Sequence, residues 1–170
     1  ATADKEKKES ELKELQTKRI ARSPQEGRGP ITNPPLIWIR NATIWTCSDK
    51  GILTNANLTI LEGRIALLGQ VTVEPGLPLL EIDATGKTVT PGLIDAHSHS
   101  AILGAVNEST LPSTAMCRIG DVVNSETKNL YEQLAGGLTT ANLLHGSANP
   151  IGGQNQVIKL RDGASPEGLK

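Results

Sequence analysis

The sequence predicts an α/β fold joined to a β-rich one, with a small antiparallel β-unit first and parallel strands connected by a helix after it. Apolar and polar residues alternate over short segments between residues 36 and 82, which is typical of strands with one wet face. From residue 89 the order changes to strand, helix, strand. Such a βαβ order makes its two strands parallel. The change of pattern near residue 90 therefore predicts that two domains join there.

Composition excludes several classes of protein. The 170 residues carry 17 basic and 18 acidic side chains, for a formal net charge of −1. A nucleic-acid partner is not expected, because phosphate contacts need an excess of positive charge. No transmembrane segment is expected either, since the apolar runs are far shorter than the ~20 residues that cross a bilayer. The two cysteines, Cys47 and Cys117, are too far apart to form a CxxC zinc motif.

Residues 1–35 are predicted to be a charged arm followed by a linker. The first 22 residues contain 12 charges of both signs, and this pattern favours a solvated helix or a disordered arm. Residues 23–35 contain four prolines and two glycines, which is typical of a linker. The segment contains no apolar signal core, and a cytoplasmic protein and an exported mature form both remain open.

Residues 36–88 are predicted to form the β-unit. Turn-forming sequences at 48–51 and 62–63 separate strand-like segments. The predicted strands are 36–47, 56–60, 64–68 and 79–82. Because these strands are short and closely spaced, an antiparallel arrangement is expected. Phe is absent and only three aromatic residues are present, so the core is expected to be aliphatic.

Residues 89–170 are predicted to begin a parallel α/β unit. A buried strand at 93–97 is entered through Pro91-Gly92, and a second strand covers 138–144. The helix between them is expected to start at an Asn124 or Ser125 cap and to end at Gly136-Gly137.

The sharpest chemical signal is Asp95-Ala96-His97-Ser98-His99. Residues two apart on a strand point to one face, so Asp95, His97 and His99 are expected to project together. Two imidazoles at the carboxyl end of a strand can share a metal ion, and Asp95 could accept a hydrogen bond from behind them. The alternative is a pair of histidines bonded only to backbone groups.

The segment that leads to the two histidines resembles the first barrel strand of the amidohydrolase superfamily. Its sequence is Gly86-Lys87-Thr88-Val89-Thr90-Pro91-Gly92-Leu93-Ile94. Residues 52–69, ending in Arg-Ile-Ala-Leu-Leu-Gly, are similar to the superfamily's N-terminal hairpin, and residues 136–140 (Gly-Gly-Leu-Thr-Thr) to its second strand. Within the superfamily the imidazolonepropionase-like hydrolases are the most similar.

This resemblance implies a fold in two parts. A small N-terminal β-sandwich part, residues 36–88, would lead into the first strands of a (β/α)8 TIM barrel at 89–170. A complete barrel takes ~250 residues. The chain is therefore expected to be truncated at residue 170, after two barrel strands and the start of a third.

The resemblance also implies a metal-dependent hydrolase in which His97 and His99 bind a divalent metal. Zinc is the first choice, with iron, manganese or nickel as alternatives. A metal-activated water would attack an amide-type C–N bond of a small-molecule substrate, often in a ring. The general-base aspartate is expected beyond residue 170, so the chain alone is expected to be inactive. A homo-oligomer of the full-length protein is left open.

Four other residues are candidate site residues, and each also has a purely structural interpretation. His145 could contact substrate at the barrel mouth, or be a loop histidine bonded to backbone. Gln154 and Asn155, in a glycine-rich loop, could bind substrate, or belong to a structural turn. Lys159 could be a metal-bridging lysine, or an ordinary strand residue. Two other functions remain open, a dipeptidase-type member of the superfamily and a non-catalytic β-rich scaffold or binding module.

Overall fold

The computed structural model describes residues 34–73 and 79–170, together with Lys7 and Ser10. The rest of the predicted arm, most of the linker and residues 74–78 lie outside the described residues. The elements are β1 (Leu36–Trp45), β2 (Ile52–Leu61), β3 (Arg64–Gly69), β4 (Leu79–Asp83), β5 (Thr88–Val89), β6 (Leu93–Ser98), a 3-10 turn (Ile119–Val122), α1 (Lys128–Ala135), β7 (Leu138–Leu143), β8 (Gln156–Lys159) and α2 (Pro166–Leu169). Most of the elements in the described part of the chain are thus strands, with few helices.

The first sheet has the order β3-β2-β1-β4, and β5 also pairs with β1. Its first three strands form the predicted meander, because β1 pairs antiparallel with β2 and β2 pairs antiparallel with β3. The turns at 48–51 and 62–63 connect these strands as predicted. The core of this sheet is aliphatic, as expected, and consists of Ala42, Ile44, Ala56, Leu58 and Ala84.

The prediction of a wholly antiparallel unit is wrong for the last two strands. β4 and β5 both run parallel to β1, with Leu36 opposite Leu79 and Thr43 opposite Thr88. After β3 the chain crosses to the free edge of β1 instead of reversing beside β3. Close spacing in the sequence indicates short strands, but it does not reveal which edge of the sheet the next strand joins.

The second sheet has the order β6-β7-β8. β6 and β7 are parallel and α1 lies in their connection, as predicted. Gly92 allows this close approach, because a Cβ built on it would overlap the Thr139 side chain. The helix begins at Lys128, later than predicted, because the Asn124 side chain accepts a hydrogen bond from the Glu126 backbone and makes a local turn instead of a cap.

The expectation that a third parallel strand begins before residue 170 is wrong for β8. It runs antiparallel to β7, with Thr140 opposite Lys159, so it is not a third parallel strand. The connection between β7 and β8, residues 144–155, returns directly and contains no helix in the described structure. A parallel neighbour would require a crossover, which this connection does not make.

One face of the second sheet is packed and the other is open. The packed face lies against α1 and the long connection between β6 and α1, residues 99–127. Its buried residues are Ala101, Ile119, Val123, Leu130, Ala141, Leu143, Ile158, Leu160 and Leu169. On the open side, Ile94 is 72% exposed and Val157 is 55% exposed. Within the described ranges, no helix has the length and apolar character needed to cross a bilayer.

Candidate metal centre

His97 and His99 lie together at the carboxyl end of β6. β6 ends at Ser98, so His97 is within the strand and His99 immediately follows it. Their ring centroids are 5.1 Å apart and the rings are perpendicular, edge to face. Both side chains are exposed. The structure therefore brings together the two imidazoles that the sequence selected.

The neighbouring strand determines which nitrogen of His99 is free. The His99 Nδ1 atom lies 2.9 Å from the Leu144 carbonyl oxygen, just past the end of β7. A carbonyl only accepts, so Nδ1 carries a proton. The Leu144 backbone N–H also donates to the Ser98 carbonyl at 2.9 Å. In the neutral tautomer that this contact selects, Nε2 is the nitrogen available to a metal ion.

Asp95 is hydrogen-bonded to the backbone of β6, and its role behind the imidazoles stays a prediction. Its Oδ1 accepts a hydrogen bond from the His97 backbone N–H at 3.0 Å. In the β6–β7 ladder, Asp95 pairs with Ala141 and Ser98 pairs with Leu143, so β6 has one residue more than β7 between these pairs. This bulge interrupts the alternation, and the single face expected for Asp95 and His97 is not maintained.

The two imidazoles fit a metal ion as a donor pair, because neutral imidazole nitrogen is a preferred ligand of zinc and related ions. They do not complete a centre. Among the residues that the structure describes, no group of three or more His, Cys, Asp or Glu side chains is placed to hold an ion.

His145 is held by its own loop. Its Nδ1 atom contacts the Gly146 carbonyl, and the half-buried ring packs directly on Gly152. A Cβ built on Gly152 would overlap the imidazole. The substrate role of His145 stays a prediction, but its ring position depends on this glycine.

The glycine-rich loop that contains Gln154 and Asn155 packs closely against the backbone near Cys117. The Gln154 N–H donates to the Cys117 carbonyl at 2.8 Å, and the Ile119 N–H donates to the Gln154 carbonyl at 2.9 Å. Gly153 lies against the Cys117 backbone, leaving no room for a Cβ. The exposed Asn155 amide donates to the Asn142 side-chain oxygen at 3.0 Å. The substrate-binding roles of Gln154 and Asn155 stay predictions.

Comparisons with known proteins find similar sequences and structures, although no family model matches the chain. An amidohydrolase, tasK, of Hapsidospora irregularis is 31% identical over 144 residues, which are 71% of this chain and 15% of that protein. An imidazolonepropionase of Caulobacter sp. (strain K31) is 30% identical over 119 residues, 56% of this chain and 30% of that protein. The crystal structure of an amidohydrolase from Thermotoga maritima MSB8 is 31% identical, with a TM-score of 0.65.

The chain is similar to members of the amidohydrolase superfamily. It covers only part of its relatives' length: 15% and 30% of the two curated proteins, and 36% of the solved Thermotoga chain, which in turn covers 79% of this one. The resemblance of the sequence around His97 and His99 to this superfamily is confirmed.

The loops that follow β6 and β7, residues 99–127 and 144–155, are joined to each other by hydrogen bonds. The Glu108 carboxylate, in the 99–127 connection, accepts hydrogen bonds from Thr110, from the Leu111 N–H at 3.3 Å and from the Asn149 side chain at 3.1 Å. Bonds from Thr110 and Asn149 lower the pKa of Glu108 to about 2. The buried Asn149 also donates to the Leu111 carbonyl at 2.9 Å.

Sequence reasoning missed two residues that make long-range side-chain hydrogen bonds in this part of the structure, Glu108 and Asn142. The Asn142 amide donates to the Ala96 carbonyl at 3.2 Å, directly before His97. Neither residue belongs to a motif with a recognisable spacing, since Asn142 meets Ala96 46 residues away in the chain and Glu108 meets Asn149 41 residues away. Lys159, by contrast, lies on β8 opposite Thr140 with its side chain exposed, and its metal role stays a prediction.

Proposed function

We propose that this chain is part of a metal-dependent amidohydrolase in which His97 and His99 hold a divalent ion, with zinc as the first candidate. The observation that carries the proposal is the edge-to-face pair of imidazoles, 5.1 Å apart at the carboxyl end of β6. The bond from His99 Nδ1 to the Leu144 carbonyl supports it, because this bond leaves Nε2 free. A neutral imidazole held by a hydrogen bond on its other nitrogen is the usual form of a histidine ligand.

The proposed reaction is hydrolysis of an amide-type C–N bond in a small molecule. When bound, the metal supplies a water of lowered pKa and polarises the carbonyl that is attacked. The contribution of this chain is to hold the two imidazoles in one orientation and to carry the loops at the mouth of the site. The substrate is proposed to be a cyclic amide, by likeness to the imidazolonepropionase relative. A general-base aspartate and further ligands would come from outside the described pair.

The proposed architecture follows from the two open apolar faces. On the first sheet, Ile65 is 70% exposed, Leu80 is 44% exposed and Ile82 is 37% exposed. Ile37 pairs with both Ile60 and Leu80, and Ile60 pairs with Ile65, so several of these side chains share one face. A sheet with one apolar face needs a second layer. We infer that residues 36–88 are one part of a β-sandwich and that β6 and β7 are the first strands of a (β/α)8 barrel.

The test is metal content together with turnover, in protein expressed from its complete open reading frame. We expect His97→Ala and His99→Ala each to remove most of the bound metal and the hydrolysis of imidazolonepropionate. His145→Ala is the matched control, and it should retain its metal whatever its role toward substrate. Full metal occupancy in both His97→Ala and His99→Ala would contradict the proposed site.

The same protein separates the alternative functions. Hydrolysis of dipeptides without hydrolysis of the cyclic amide would favour the dipeptidase-type member. A parent protein that contains no bound metal and hydrolyses neither substrate would favour the scaffold or binding module.

A further inference from the structure

We propose that Asn142 on β7 is a positioning residue for the His97 and His99 pair. This inference rests on the proposed function, because it takes the two histidines to be metal ligands. It adds a residue whose side chain binds no metal or substrate and acts through the backbone of β6.

The bulge in β6 is the first observation. Between the pairs Asp95–Ala141 and Ser98–Leu143, two residues of β6, Ala96 and His97, lie opposite the single residue Asn142. A bulge leaves backbone groups of the extra residue outside the ladder. Such groups destabilise the fold unless another partner binds them.

Side chains supply both partners at this bulge. The Asn142 Nδ2 group donates to the Ala96 carbonyl at 3.2 Å, and the Asp95 carboxylate accepts from the His97 N–H at 3.0 Å. The peptide bond that joins Ala96 to His97 is therefore held at its carbonyl by β7 and at its N–H by Asp95. The direction in which the His97 ring leaves β6 depends on the orientation of this peptide.

A second asparagine orients the first. Asn155 Nδ2 donates to Asn142 Oδ1 at 3.0 Å, so the amide nitrogen of Asn142 is the atom that faces β6. Two positions further along the chain, the Leu144 carbonyl bonds the His99 ring. The same segment of chain, residues 142–144, thus holds the backbone before His97 and the imidazole of His99.

Loss of the Asn142 amide should loosen the bulge. Without a donor for the Ala96 carbonyl, β6 can return toward a regular register, and a shift of one residue turns a side chain to the other face of a sheet. Replacing a residue that orients a metal ligand typically costs about 10- to 100-fold in metal affinity. We expect an effect of this size on the affinity of the His97–His99 site.

The experiment uses protein expressed from its complete open reading frame, freed of metal and titrated with Co²⁺ as the probe. The variants are Asn142→Ala and Asn142→Leu, since leucine keeps the size and branching of asparagine but neither donates nor accepts. Thr140→Val is the matched control on the same strand, and Asn155→Ala removes only the group that orients Asn142. Co²⁺ affinity, the visible absorption of the bound ion and thermal unfolding are measured for each.

We expect both Asn142 variants to bind Co²⁺ about 10- to 100-fold more weakly, with an altered visible band. Asn155→Ala should give a smaller loss, and Thr140→Val should match the parent. The altered band separates positioning from a simple loss of stability, which would lower the folded fraction and leave the band of the bound ion unchanged. Where Asn142→Ala does not fold, the leucine variant carries the test.

Parent-like affinity and absorption in Asn142→Leu would overturn this inference while leaving the proposed function intact. Retention of metal by both histidine variants would instead overturn the proposed function. The two failures are therefore distinguishable in one set of proteins.

Discussion

Single hydrogen bonds decide the state of individual side chains around this site. The Leu144 carbonyl selects the tautomer of His99, and the Asp95 carboxylate is turned onto the backbone of His97. Glu108 shows the largest effect of this kind, because its carboxylate accepts hydrogen bonds from Thr110, Leu111 and Asn149. The hydrogen-bonded state of each of these groups is not predicted by any motif in the sequence around it.

Glu108 should make stability depend on pH. Its bonds with Thr110 and Asn149 lower the pKa from 4.5 to about 2 in the folded protein. The ionised form is therefore favoured by folding, so the stabilisation is complete above about pH 4.5 and is lost as the pH falls toward about 2. We expect Glu108→Gln to lower the urea midpoint at about pH 7, with the difference from the parent shrinking between about pH 4.5 and 2.

Glu126→Gln is the control for this experiment. Glu126 is exposed, and its carboxylate makes no hydrogen bond in the described part of the chain. Its replacement should leave the pH dependence of the parent unchanged. An equal effect of the two substitutions at every pH would contradict the role assigned to the Glu108 bonds.

Gly152 should be intolerant of a side chain. A methyl group there would overlap the His145 ring, and overpacking of this kind costs about 1–3 kcal/mol. Gly168→Ala is the matched control, because its Cβ would meet Ala164 and Ser165 at an ordinary 3.4 Å. We expect Gly152→Ala to lower the free energy of unfolding and Gly168→Ala to leave it nearly unchanged. Equal unfolding curves would show that the His145 ring moves aside freely.

At the scale of elements, both sheets contain strands that depart from regular pairing, and side chains stabilise the departures. β6 has its bulge before His97, and β1 has register shifts between Ile39 and Ile44. Asn41, in the shifted part of β1, has a φ of 60°, which asparagine tolerates better than most residues. The Asn57 side chain accepts from the Asn41 N–H at 3.1 Å and donates to the Val71 carbonyl at 2.8 Å.

Asn57→Ala should therefore destabilise the first sheet. It leaves two half-buried backbone groups without a partner, the Asn41 N–H in β1 and the Val71 carbonyl after β3, at a cost of about 1–3 kcal/mol. Asn57→Asp keeps the acceptor for Asn41 and loses the donor for Val71, so its loss should be intermediate. Thr54→Ala, at an exposed position of the same strand, is the control. Urea unfolding measures all three, and a loss in Asn57→Ala no larger than that in Thr54→Ala would contradict the bridging role.

At the scale of the whole molecule, each sheet has an apolar face that the described residues leave open. Ile65 is 70% exposed on the first sheet and Ile94 is 72% exposed on the second. Isolated exposed apolar residues are ordinary, but apolar faces of sheets are usually covered by another layer. The proposed sandwich and barrel would provide both layers.

A charged side chain in place of Ile65 tests whether a second layer covers the apolar face of the first sheet. In protein expressed from its complete open reading frame, Ile65→Lys should lower the free energy of unfolding by about 2 kcal/mol or more, because it would bury a charge without a partner. Thr54→Lys introduces the same charge at an exposed polar position and should have little effect. Equal stability of the two variants would mean that this face of the sheet is open to water.

Much of the local structure could be predicted from the sequence. The turns at 48–51 and 62–63, the parallel pairing of β6 with β7 and the meeting of His97 with His99 are confirmed. These features depend on residues close together in the chain or on a single βαβ unit. The directions of β4 and β8 were predicted wrongly, because a strand's direction depends on the edge it joins, and its own residues do not encode that edge.

The sequence by itself determined the resemblance to the superfamily, the aliphatic core and the pair of imidazoles, because short motifs and periodic patterns specify them. Only the tertiary structure decided that Asp95 faces the backbone, that the Leu144 carbonyl sets the tautomer of His99, and that Asn142 meets Ala96. The last two contacts join residues 45 and 46 positions apart, and the first depends on a bulge that appears only when β6 pairs with β7. Hydrogen bonds act over about 3 Å, so their partners are known only once the strands are side by side.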